Sequence, residues 1–145
     1  MSMRATLAGL LLAGLTLVPP AAARPAADDD ATLFVGGGTN LTNGLFFPGT
    51  SLRQNGEWLD LGPPLQVTAG SNVTLVNLDA APLTNSHQVR SFKVRKKTGR
   101  PLFQSEPSSG PTTTLVLTQH LKPGLYRYFC TTHFGMFGRI EVVAN

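Results

Sequence analysis

Read for its alternation of apolar and polar positions, the chain changes character twice. Ala5 to Val18 is an almost unbroken apolar run behind the charged Arg4, and it closes at Pro19-Pro20. From Ala31 onward, short stretches rich in Val, Leu, Thr, Tyr and Phe alternate with clusters of Gly, Pro, Asn and Ser. That spacing predicts an all-β sandwich without a long amphipathic helix. Strands are expected at Thr32 to Val35, Leu65 to Val67, Asn72 to Asn77, His87 to Val94, Thr113 to Leu117, Gly124 to Cys130 and Gly138 to Val143. The segment from Gly36 to Leu61, rich in Gly and Asn, has no clear period and stays unassigned.

Two strands carry the period-2 pattern plainly. Val73, Leu75 and Asn77 fall on one face, as do Tyr126, Tyr128 and Cys130 on another strand, where Arg127 and Phe129 face the other way. Because Arg127 has to reach water, Cys130 is expected to point inward.

The apolar run at the start is followed by Ala21-Ala22-Ala23, small residues suited to a signal-peptidase cut. A membrane span needs roughly 20 apolar residues, and this run ends after about 14. Residues 1–23 therefore read as a secretory signal, 24–30 as a flexible polar lead-in and 31–145 as one domain. No Arg-Arg pair precedes the run and no cysteine ends it, which argues against twin-arginine export and lipidation. The expected product is periplasmic or secreted, with no stable membrane insertion once the signal is removed.

The remaining roughly 120 residues suit a single compact domain, which must carry the whole function. The formal charge of +4 falls to +3 without Arg4, too modest an excess to point to nucleic acid. Cysteine usage is more telling, because exported domains commonly use cysteines in pairs and this chain has only Cys130. A lone exported thiol is an inert buried side chain, an intermolecular crosslink, a nucleophile or a metal ligand, and its neighbours decide which.

Those neighbours are Cys130-Thr131-Thr132-His133-Phe134-Gly135-Met136, a thiolate, an imidazole and a thioether brought together as a strand enters a turn. Taken singly, Cys130 reads as a small buried hydrophobe, Met136 as a core filler and His87 as a surface imidazole. Together, soft sulfur ligands with imidazole favour copper, and two histidines with one cysteine and a weak axial Met define a blue-copper site. The second histidine comes from His87 or His120. The latter sits about ten residues before Cys130, at the far end of the same strand and roughly 20 Å away at about 3.3 Å per residue, so His87 is preferred.

The order Gly70, Val73-Thr74, Asn77, Asp79, His87, Pro123-Gly124, Tyr126, Tyr128, Cys130, His133, Met136 resembles the cupredoxins, especially their plastocyanin and amicyanin branch. The resemblance covers most of residues 65–145. It implies a Greek-key β-sandwich of about eight strands, one copper cycling between Cu(I) and Cu(II), and one-electron transfer between transient donor and acceptor proteins by a monomer that is not an enzyme. Asn77, Gln88 and Thr132 are expected around the ligands. Gln88 stands where the family commonly has Asn, whose side chain ties the two ligand loops. Thr132 stands where amicyanin-like loops tend to carry Pro, and its backbone N–H is free to donate to the thiolate. The stretch from Asp79 to His87 is longer than the family usually has.

Two surface features complete the reading. Phe134 and Phe137, with Phe47, are expected to form an apolar patch for electron exit near His133, or else ordinary packing. Arg90, Lys93, Arg95, Lys96, Lys97 and Arg100 form a basic run, either a solvated face or a steering element for an acidic redox partner. A copper enzyme would need further histidines, and the chain has three in total. A copper carrier or storage protein that binds Cu(I) without a redox role is the remaining alternative.

Overall fold

The fold is built outward from Val73, Leu75 and Asn77, three alternate positions of one strand that are all buried in the computed structural model, which describes residues 31–36, 44–79 and 86–145. The expected signal (1–23) and lead-in (24–30) lie outside the described residues. Twelve strands are described: β1 (Thr32–Gly36), β2 (Leu45–Phe47), β3 (Thr50–Gln54), β4 (Glu57–Asp60), β5 (Leu65–Thr68), β6 (Val73–Asn77), β7 (Ser86–His87), β8 (Val89–Ser91), β9 (Ser108–Ser109), β10 (Thr113–Val116), β11 (Gly124–Cys130) and β12 (Phe137–Val143). Among the described residues no helix is long and apolar enough to cross a membrane.

The strands form a sandwich. One sheet has the order β10-β6-β1-β2, with β1 parallel to β6, and the other runs β4-β3-β12-β11-β8. β12 is the spine of the second sheet: β11 pairs along one edge, while β3 and then β5 share the other. Between the sheets lie Leu33, Val35, Val73, Leu75 and Val116 from one side, and Val67, Tyr128, Ile140 and Val142 from the other. Each such burial contributes about 1.5–3 kcal/mol. Tyr128 and Gly138 are cross-strand partners, and a Cβ at Gly138 would fall 2.3 Å from Tyr128 Cζ, so only glycine leaves room for that ring.

The all-β sandwich is as expected, but the count of about eight strands is corrected to twelve among the described residues. Three of the additions, β2 to β4, come from the unassigned segment. There β3 and β4 have mostly exposed side chains, so burial imposes no clean alternation on them. The predicted strand from His87 to Val94 is two strands. β7 pairs with β9 and β8 pairs with β11, and the break falls at Gln88, whose side chain donates to the Ser105 carbonyl at 3.0 Å. This switch between sheets sets His87 beside the end of β11.

Candidate metal centre

Cys130 is the last residue of β11, held inward by the alternation that also buries Tyr128. Its amide donates to the Met136 carbonyl at 3.0 Å, closing the loop from Cys130 to Met136, and Gly135 takes a positive φ of 82° within it. The loop is tied to the preceding ligand strand, since Val89 pairs with Cys130 and the Thr131 amide donates to the Gln88 carbonyl at 3.1 Å.

These ties gather His87, Cys130 and His133, whose ligand atoms all lie within 4.8 Å of one another. Cys130 Sγ stands 3.8 Å from His87 Nδ1 and 3.5 Å from His133 Nδ1. Three donors at 120° around one ion, with nitrogen at roughly 2.0 Å and sulfur at roughly 2.3 Å, stand about 3.5–3.7 Å apart. The observed spacings therefore fit a single trigonal ion. Met136 is buried, while His133 is half-buried and forms the open edge. His120 is exposed at the far end of β11, next to the Leu102 carbonyl and Arg95.

The electrostatics favour a cation at the same point. Burial pushes the Cys130 thiol up, but contacts with His87, the backbone amides of Gln88 and Thr132, and His133 outweigh it and lower its pKa from 9.0 to about 6. The group is therefore largely thiolate at neutral pH. Burial pushes His87 down, and its contacts with Cys130 and Asp79 more than offset this and raise its pKa. The imidazole thus stands between a thiol and a carboxylate, both of which favour positive charge at this point. A metal cation in the trigonal position answers the same demand.

No protein-family profile and no curated protein sequence matches the chain. Solved structures do match. A purple cupredoxin from Nitrosopumilus maritimus aligns with a TM-score of 0.52 and 22% identity over 79% of this chain and 100% of its own. The chain has the cupredoxin fold. A copper-containing nitrite reductase from Thermus scotoductus aligns with a TM-score of 0.51 and 21% identity over 79% of this chain, which spans only 22% of that enzyme chain. An oxidised proline-to-glycine mutant of amicyanin aligns with a TM-score of 0.50 and 20% identity, over 82% of this chain and 87% of its own. The thiolate and two imidazoles of this chain fit one copper ion.

The side chains expected around the centre, Asn77, Gln88 and Thr132, all hydrogen-bond near it. Asn77 donates through Nδ2 to the Ser108 carbonyl and accepts the Asp79 amide, both at 3.0 Å. Gln88 Oε1 accepts the Thr131 hydroxyl at 2.8 Å, and the Thr132 amide donates to Cys130 Sγ. Phe134 is 94% exposed, Phe137 packs edge-on against Trp58 at 5.1 Å, and Phe47 lines a groove with Leu61 and Pro63.

The basic run is exposed throughout, but it descends away from the centre. Arg90 is paired with Phe129 beside Cys130, whereas Lys93 lies over the Tyr126 ring and Arg95 contacts His120 at the opposite end of β11. Lys96, Lys97 and Arg100 belong to that remote turn, in which the Arg95 amide donates to the Arg100 carbonyl. Reading the sequence alone misses Asp79 as a partner of His87, although the Asn-x-Asp pattern at Asn77 to Asp79 is in plain view.

Proposed function

We propose that this chain is an exported blue-copper protein that carries single electrons between redox partners. The observation that carries this reading is the trigonal spacing of His87 Nδ1, Cys130 Sγ and His133 Nδ1 about a thiol already largely ionised at neutral pH. Met136 is assigned to the axial position as a weak thioether ligand. Copper, when bound, supplies a one-electron Cu(I)/Cu(II) couple. The chain's part is to hold both imidazoles and the thiolate in one arrangement, so that little has to move when charge changes. Gln88 and Thr131 lock the two ligand loops together, and the amides of Gln88 and Thr132 share the thiolate's charge.

Electron exit is assigned to His133, the half-buried ligand, next to the protruding Phe134. That surface suits a partner that comes close and leaves quickly. Residues 1–23 are proposed as the cleaved signal, 31–145 as the copper domain, and the mature protein as a periplasmic or secreted monomer. A carrier and not an enzyme is the better reading. The third histidine, His120, stands at the far end of β11, so the chain has no histidines left for a substrate site.

Titrating the purified mature protein with Cu(II) and recording its visible and EPR spectra tests this reading. One equivalent should give an intense blue band with narrow copper hyperfine splitting, reversibly bleached by one electron. Uptake of Cu(I) with no stable coloured oxidised form would instead favour a copper carrier or store.

A further inference from the structure

Resting on the copper reading above, we propose that Asp79 is the positioning residue of the centre, which fixes His87 as an Nδ1 donor and favours the oxidised state. Its Oδ2 lies 2.8 Å from His87 Nε2. Both groups are out of water, His87 at 0% and Asp79 at 8% exposure.

The carboxylate is itself held in place. Its residue's amide donates to Asn77 Oδ1, and Asn77 Nδ2 donates to the carbonyl of Ser108, the cross-strand partner of His87. Behind it stands Gly36, where an added Cβ would fall 3.3 Å from Asp79 Oδ1 and 3.2 Å from Leu78 Cβ. The backbone of β1 thus closes against the carboxylate, leaving little space for it to swing away.

Two consequences follow from chemistry alone. A neutral imidazole has one N–H, and a carboxylate facing Nε2 takes it, which leaves the lone pair on Nδ1 facing Cys130. This selects the ligating nitrogen before any metal arrives. The second consequence concerns charge. With a buried thiolate and a buried carboxylate, a site holding Cu(II) sums to zero, whereas one holding Cu(I) has an uncompensated negative charge. Low-dielectric surroundings penalise the latter, so Asp79 lowers the reduction potential.

The test compares the copper-loaded wild type with Asp79→Asn by redox titration at one fixed pH, together with the nitrogen NMR shifts of His87 in the copper-free wild type. The blue band should persist in the variant. Its redox equilibrium should move at least tenfold toward Cu(I), about 59 mV upward for one electron. The copper-free wild type should show His87 carrying its proton on Nε2. A blue variant with an unchanged or lower potential, or a copper-free His87 with Nε2 unprotonated, overturns the role of Asp79 and leaves the copper reading standing. A wild type that never turns blue sinks the copper reading itself and the redox role of Asp79 with it.

Discussion

The hydroxyl of Thr131 donates to Gln88 Oε1 at 2.8 Å, and the amide of the same residue donates to the Gln88 carbonyl at 3.1 Å. The residue after one ligand is thus tied twice to the residue after another. Thr131→Val removes the side-chain tie alone. At about 0.5–1.5 kcal/mol for one hydrogen bond, and less for an exposed one, the melting temperature of the copper-loaded protein should fall by only a few degrees. The electron self-exchange rate, read from NMR line broadening, should fall as the ligand loops loosen. An unchanged rate would deny the pair its locking role.

The amide of Thr132 donates to Cys130 Sγ. Thr132→Pro deletes that donor and keeps the ligand set intact. A hydrogen bond to a thiolate draws electron density from it and stabilises the reduced site, so its loss should lower the reduction potential by roughly 60 mV, a tenfold change for one electron. Voltammetry of the two proteins measures this, and a potential that is unchanged or higher removes the donor role.

How much of this could be read from the chain differs from place to place. The meeting of Cys130 with His133 was legible because their spacing lies within one turn, and β11 because burial enforces its alternation. The strands β3 and β4 were not, since residues such as Leu52, Leu59 and Asp60 are exposed and carry no inward period. The contact between Asp79 and His87 was illegible for another reason. It depends on the chain changing sheets at Gln88, a tertiary event that no local pattern encodes.

Asp60 fastens β4 to the spine. It accepts Arg127 Nη1 at 2.7 Å and Nη2 at 3.1 Å, Arg139 Nη1 lies 3.2 Å away, and Ser51 donates at 2.9 Å. The Arg127 hydrogen bonds, aided by Ser51 and the charge of Arg139, outweigh burial and lower its pKa from 3.8. A depressed folded pKa contributes stability above the unfolded value, and that contribution is lost as pH falls through the folded pKa. Because the group is about a third exposed, Asp60→Asn should cost only about 1 kcal/mol near neutrality. In urea unfolding, the difference from wild type should shrink as pH drops below 3.8. A gap that persists in acid would show that charge is not its source.

Gly138 and Tyr128 make opposite predictions about stability. Gly138→Ala forces a methyl into the Tyr128 ring and should destabilise by about 3 kcal/mol or somewhat more. Tyr128 Oη is buried with no hydrogen-bond partner among the described residues, so Tyr128→Phe sheds an unsatisfied hydroxyl and should gain about 1 kcal/mol. Chemical denaturation checks both, and a Tyr128→Phe protein weaker than wild type would reveal an acceptor for that hydroxyl.

Arg90 and the Lys96-Lys97 turn lie at different distances from the proposed exit. The turn is roughly 20 Å down the sheet, about twice the ~10 Å screening length at 0.1 M salt. Arg90→Glu should therefore slow association with an acidic redox partner and flatten its salt dependence, while the Lys96→Glu, Lys97→Glu double variant should barely change either. Stopped-flow rates across a salt series separate the two. A larger effect from the remote turn would move the docking face away from His133.

The most direct measurement is X-ray absorption at the copper edge on the loaded protein, run beside Cys130→Ser and His87→Ala. The wild type should show one sulfur at roughly 2.2–2.3 Å and two nitrogens at about 2.0 Å, with the short sulfur lost in the first variant and one nitrogen lost in the second. Copper held without that short sulfur, or a nitrogen shell untouched by His87→Ala, would contradict the convergence of His87, Cys130 and His133 on a single ion.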